Sequence, residues 1–335
     1  MAKLPFGDDP VESGHPLPGE PVSGTLHGPK IELDLPRIGV TNQVHATPGP
    51  QIVPPSWVRY EPPAAEVAVE PVAGSVSPIP PSRRMDLQSR VNEEMSWARA
   101  NRGAVFEAYG NLEESRGRKI VNGDLFVTLL PSVDANPSRV HRLDLADMNY
   151  LAMDMYEQQV STPRQGEDTV VLMVGAPGAG KSTLAKRLLD QHPEIHTVLD
   201  SNGANWETLK HAMNTALQHG HNVDIIYVGG DLETVVGRTV SRCQDDQRVV
   251  PASTQADLHR MSPINFMKAM REIADERVSF AACRAETHAF VEDPALLANE
   301  DLRDPRNNLE GIRNILREAI HDRRIDPETG GAFNE

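Results

Sequence analysis

The spacing of apolar positions divides the chain before any motif is considered. Val91, Met95, Ala98, Val105 and Tyr109 recur near a 3.6-residue period, which predicts a helix over about 84–109, with Gly110 and Asn111 as stop signals. Leu145, Met148, Leu151, Met155 and Tyr156 predict a second helix over about 144–158, whose methionine-rich stripe reads as core packing. The pattern then changes. Residues 169–174 (TVVLMV) form an unbroken, β-branched apolar run, as expected of a strand buried on both faces of a parallel sheet. Residues 195–199 and 223–228 repeat it, and helical stretches at 183–190, 205–219 and 232–243 follow the three runs in turn. This β-α-β-α-β order requires parallel pairing and places ligands at the carboxyl ends of the strands. A last apolar face, Ile312, Ile315, Leu316 and Ala319, predicts a C-terminal helix over about 307–322.

No such period runs through residues 1–81. That stretch holds 17 of the 27 prolines and 8 of the 24 glycines, with Phe6, Trp57 and Tyr60 as its aromatics. It cannot bury enough apolar surface to offset about 1–2 kcal/mol of backbone ordering per residue, so a disordered Pro-rich arm is expected. Such an arm is either a tether or a delivery and chaperone-binding segment. The expected organisation is the arm at 1–81, a helical subdomain at 82–165, a P-loop core at 166–292 and a helical extension at 293–335. The fold class is α/β: a kinase-like P-loop NTPase sheet, parallel and flanked by helices.

Charge and cysteine content narrow the chemistry. The chain carries 33 basic and 48 acidic residues, a net −15, which argues against a general nucleic-acid binder. No apolar run nears the ~20 residues of a membrane span. The start, MAKLPFGDDP, lacks the layout of a secretory signal, so a cytoplasmic location in the producing cell is expected. Cys243 and Cys283 make neither a disulfide framework nor a metal clip.

The first strand runs directly into Gly175-Ala176-Pro177-Gly178-Ala179-Gly180-Lys181-Ser182-Thr183, which fits the phosphate-binding pattern G-x-x-x-x-G-K-[ST]. Glycines let the backbone N–H groups wrap a phosphate, Lys181 reaches the β- and γ-phosphates, and Ser182 ligates Mg²⁺. ATP with Mg²⁺ is the expected cofactor pair. Asp200, ending the second strand, has three readings: a base for an attacking hydroxyl, a holder of Mg²⁺, or the cap of the helix that follows. Downstream, Arg238, Arg242 and the run Gln247-Arg248-Val249-Val250-Pro251 read as a mobile lid. Arginines there would meet charge spreading over a transferring phosphoryl group; Arg242 and Arg248 are the preferred pair, and Arg238 reads as surface charge. His192, His196, His211, His219 and His221 are scattered over helix, strand and turn and are expected to be solvated.

Together these residues resemble the zeta-toxin family of small-molecule kinases. The resemblance rests on GAPGAGKST, on Asp200 in VLDSNG, on IIYVGGDLETVVGRTVSRC, on QRVVP followed by His259, and on VNGDLFVTLLP at 121–131. It covers roughly 120–275. It implies Mg²⁺- and ATP-dependent phosphorylation of a sugar hydroxyl on a nucleotide-type metabolite, either UDP-N-acetylglucosamine or, in a branch of plant-pathogen type III effectors, NAD. It further implies Lys181 and Ser182 on phosphate and metal, Asp200 as base, and Arg242 and Arg248 as lid arginines. The second acid of the toxins' D-x-D arrangement is Asn202 here, and the link from Asp200 to the third strand is short. Both features are more similar to the effector branch, which favours NAD and carries the implication of secretion into a host cell. A small helical antitoxin or chaperone is the partner the resemblance implies, with no nucleic acid and no membrane.

Overall fold

The computed structural model describes residues 77–79, 86–135, 145–246, 248–325, 330 and 333. Five strands form one wholly parallel sheet: β1 (Ile120–Val121), β2 (Thr169–Val174), β3 (Ile195–Asp200), β4 (Asn222–Gly229) and β5 (Val278–Arg284). Their spatial order is β1-β3-β2-β4-β5, so the P-loop strand β2 is central and lies directly beside β3. The helices are α1 (Leu87–Ala100), α2 (Arg102–Gly110), α3 (Gly123–Val127), α4 (Pro131–Ala135), α5 (Ala146–Ser161), α6 (Lys181–Gln191), α7 (Trp206–Gln218), α8 (Leu232–Asp246), α9 (Ala252–Glu272), α10 (Pro294–Arg303) and α11 (Leu309–His321).

Alternate residues of each strand feed opposite faces of the sheet. Val170, Leu172 and Val174, with Ile225 and Tyr227, pack on the side carrying α1, α2, α5 and α7. Val171 and Met173, with Ile226 and Val228, pack against Leu184, Ala185 and Leu188 of α6. Both faces are dry, which is why the strands read as unbroken apolar runs. Each fully buried valine or leucine there contributes roughly 1.5–3 kcal/mol.

The three central strands and the helices between them follow the sequence expectation, to within a residue or two at their ends. Four features differ. The helix expected over 84–109 is two helices broken at Asn101, whose backbone leaves the helical region (φ −119°, ψ 39°) and whose Nδ2 donates to the Trp97 carbonyl at 2.9 Å. The stretch expected to be a separate helical subdomain supplies edge strand β1 and shares its core with β2 and β4. Ile79, inside the stretch expected to lack structure, is buried in that same core; residues 1–76, 80 and 81 lie outside the described residues. Finally, α9, β5 and α10 have no counterpart in the local pattern. Among the described residues no helix is long and apolar enough to cross a membrane.

Candidate active site

The site is built where β2 ends. Gly178 (φ +81°) and Gly180 (φ +90°) lie in the left-handed region that side chains avoid. Space forbids a side chain as well: a Cβ on Gly178 would stand 2.2 Å from the Val235 carbonyl oxygen, and one on Gly180 would stand 2.5 Å from His288 Nε2. Ala176 and Ala179 are buried, Pro177 is half-buried, and Thr183 is exposed in the first turn of α6. Lys181 folds back over the loop, its Nζ donating to the carbonyls of Gly175 (2.8 Å) and Ala176 (3.0 Å). Desolvation lowers its pKa; the Asp200 charge opposes this, and the charges of Arg242 and Arg248 add to it.

Asp200 closes β3 on the same rim and is 5% exposed. Its Oδ2 accepts from Ser182 Oγ at 2.5 Å and from Asn122 Nδ2 at 2.8 Å. A hydroxyl and a carboxylate in contact are hard oxygen donors of the kind that hold Mg²⁺ in P-loop proteins, so the residues present fit that ion. The capping reading of Asp200 falls away, because Asn205 caps α7, its Oδ1 accepting from Thr208 N at 3.0 Å. Asn202 serves the backbone: its carbonyl accepts from Gly175 N at 3.1 Å and its Oδ1 from Ala204 N at 2.9 Å.

Asn122 is the site residue that local reasoning missed. It follows β1 and caps α3, its Oδ1 accepting from Asp124 N at 2.7 Å. Tyr109 braces it from below: the phenol donates to the Ile120 carbonyl at 3.0 Å and accepts from Asn122 N at 2.9 Å. Burial, the largest influence, pushes that phenol's pKa up, so it remains a donor. The only signal in the sequence was VNGD within the lead-in at 121–131.

Arg238 and Arg242 lie on α8 and Arg248 just after it, and the charges of the last two act on Lys181. Arg248 is mostly buried and ion-paired with Asp124 at the start of α3. Arg242 is exposed on α8. Arg238 departs from its expectation as surface charge: it is half-buried, donates to the Ala285 carbonyl at 2.8 Å, and would lie 3.2 Å from a Cβ on Gly180. Nor is α8 a loose flap. Leu232, Val236 and Val240 pack on Ile312, Ile315 and Leu316 of α11, and its Val235 and Thr239 press on Gly178. Gln247 lies outside the described residues.

The histidine expectation needs correction at two positions. His196 and His221 are buried, with ring centroids 4.6 Å apart, and their Nε2 atoms meet the Gln159 carbonyl at 2.7 Å and the Val160 carbonyl at 2.9 Å. They tie the end of α5 to the amino end of the sheet. His211 and His219 are exposed and His192 is half-buried. No group of three or more metal-ligating side chains occurs among the described residues.

Residues 164–281 match the family model of an AAA domain, a P-loop NTPase type. No curated protein matches the chain. The matched span runs from the loop before β2 into β5 and contains the whole glycine-rich cradle, Asp200 and the arginines of α8. The match and the geometry meet at one conclusion: the chain contains a P-loop domain of nucleotide-binding type, built on a parallel sheet.

Proposed function

We propose that the chain is a Mg²⁺- and ATP-dependent kinase that phosphorylates a sugar hydroxyl of a nucleotide-type metabolite, with NAD favoured over UDP-N-acetylglucosamine. The observation that carries this reading is the contact of Asp200 with Ser182 in the first turn of the helix that follows the glycine-rich loop. Lys181 would exchange the Gly175 and Ala176 carbonyls for the β- and γ-phosphates, while the N–H groups opening α6 face the same anion. Ser182 and Asp200 would hold Mg²⁺, whose charge offsets that of the phosphates. Arg242 and Arg248, whose charges act on Lys181, would meet the negative charge that grows as the phosphoryl group transfers. Of the two roles left to Asp200, the contact with Ser182 favours holding the metal over accepting the proton of the acceptor hydroxyl. A small helical partner over this rim belongs to the same proposal.

A second reading, hydrolysis of the nucleotide by water, draws support from the AAA-domain match. One experiment separates them. The full chain is incubated with Mg-ATP and a metabolite extract, and products are read by mass spectrometry while inorganic phosphate is assayed in parallel. The kinase reading expects a metabolite that gains one phosphoryl group, and loses that product in Lys181→Ala. Phosphate release with no phosphorylated metabolite would overturn it in favour of hydrolysis.

A further inference from the structure

Helix α9 turns an unusually polar face inward. Gln255, His259, Ser262 and Asn265 are all buried along it, at spacings that keep them on one side. Two of the four are accounted for: Ser262 Oγ donates to the Leu258 carbonyl at 2.6 Å, and Asn265 Nδ2 donates to the carbonyls of Gly203 and Ala204, latching the loop that follows Asp200. Gln255 is half accounted for, its Nε2 donating to the Val250 carbonyl at 2.8 Å, and His259 is not. His259 Nε2 and Gln255 Oε1 are buried without any hydrogen-bond partner. His259 is only 9% exposed, and an unpaired buried polar atom costs on the order of 1–3 kcal/mol. A fold that keeps such an atom beside its candidate site invites a partner from outside the chain.

The surroundings identify that partner. Burial lowers the His259 pKa to about 4, and the charged group that adds to the effect is Lys181. The imidazole is therefore neutral, and its helix borders the P-loop rim by geometry: α9 begins just after Arg248 and through Asn265 holds Gly203, which abuts Val174 at the end of β2. Pro263 lies four residues on and has no N–H to give to the His259 carbonyl, so the helix loses a backbone bond at that residue. Asn307 Nδ2 reaches the freed carbonyl, at a long 3.5 Å. The backbone bearing His259 is thus loosened from its own helix and held from α11's lead-in. By contrast, His196, also buried with a nitrogen that lacks a hydrogen bond, lies at the opposite end of the sheet with Glu167 3.7 Å from that atom.

We propose that His259 reads the terminal phosphate of the bound nucleotide, its Nε2–H donating to a γ-phosphoryl oxygen beside Lys181. The proposal rests on the nucleotide-binding reading of the P-loop and is independent of the acceptor. A neutral donor suits the position, since it adds a hydrogen bond without a further cation next to Lys181, Arg242 and Arg248.

The test uses the full chain labelled with ¹⁵N-histidine, with Mg²⁺ and either ADP or a non-hydrolysable ATP analogue. The His259 Nε2 resonance should move with the triphosphate and stay near its free position with ADP. Affinities of His259→Leu and His259→Gln are measured alongside. The leucine variant should lose about tenfold or more in affinity for the triphosphate while keeping that for ADP, and glutamine, which retains an N–H donor, should recover part of the loss. Equal movement with both nucleotides, no movement with either while both bind, or an unchanged triphosphate-to-ADP ratio in the leucine variant would each overturn the role of His259 alone. A wild-type chain that binds neither nucleotide would overturn the P-loop reading along with it.

Discussion

The two ends of the sheet bury polar groups to opposite purposes. At the amino end, His196 and His221 give their Nε2 atoms to carbonyls of α5. Glu167 accepts from Lys119 at 2.9 Å and from Arg164 at 3.3 Å, while Lys119 also reaches the Ile195 carbonyl at 3.2 Å and Arg164 the His196 carbonyl at 3.3 Å. Most groups there answer one another; the exception is His196 Nδ1, with Glu167 3.7 Å away. At the carboxyl end, Lys181 makes do with loop carbonyls, Asp200 shares one oxygen between Ser182 and Asn122, and His259 Nε2 has no partner. Buried polarity costs free energy unless it is bonded. Where the bonds are internal it holds elements together; where they are left open on one rim, it awaits a ligand.

That contrast can be broken at its strongest point first. Arg248→Ala and Arg242→Ala should each lower turnover on the order of 10³-fold, exposed Arg242→Ala with the thermal midpoint unmoved, as read by steady-state ATP consumption with acceptor present. An unchanged rate would remove these arginines from the rim. Asp200→Asn should cost about 10²-fold and raise the Mg²⁺ concentration needed for half-maximal activity. Should the Mg²⁺ requirement stay fixed while the pH–rate profile loses its acidic limb, Asp200 is the base instead.

The amino end should respond in stability alone. His196→Leu orphans the Gln159 carbonyl and should cost about 1–3 kcal/mol in urea unfolding, with nucleotide affinity unaltered. The smallest effect concerns acid. Burial works to raise the Glu167 pKa, but the bonds and charges of Lys119 and Arg164 outweigh it and hold the carboxyl below its ordinary 4.5. A carboxylate with a depressed pKa stabilises fully above 4.5 and loses that contribution as pH falls through its lowered value. Urea midpoints followed from about pH 5 to about pH 3 should therefore fall less steeply in Glu167→Gln than in the wild type.

What could be read from the chain depended on whether it was local. The runs at 169–174, 195–199 and 223–228 announced themselves because both faces of the sheet are dry, and the glycine-rich loop because its residue types are dictated by close backbone approach. Helix α9 stayed hidden because Pro263 interrupts it and Gln255, His259, Ser262 and Asn265 occupy its inner side, so the apolar period is lost. Strand β1 is two residues long, too short for any pattern. Asn122 and Asp200 are 78 positions apart, and His196 and His221 meet only because β3 and β4 flank β2. Adjacency of that kind is a property of the folded sheet and has no local signature.

The short strand β1 also bears on how the protein can be dissected. A fragment trimmed to 164–281 would retain the glycine-rich loop, Asp200, His259 and the arginines, and would look complete on paper. It would nonetheless bare the flank of β3, a ready template for intermolecular pairing, and strip Asp200 of Asn122 and Arg248 of Asp124. Any truncation meant to preserve chemistry has to begin upstream of Tyr109, within the sequence that looks least like an enzyme.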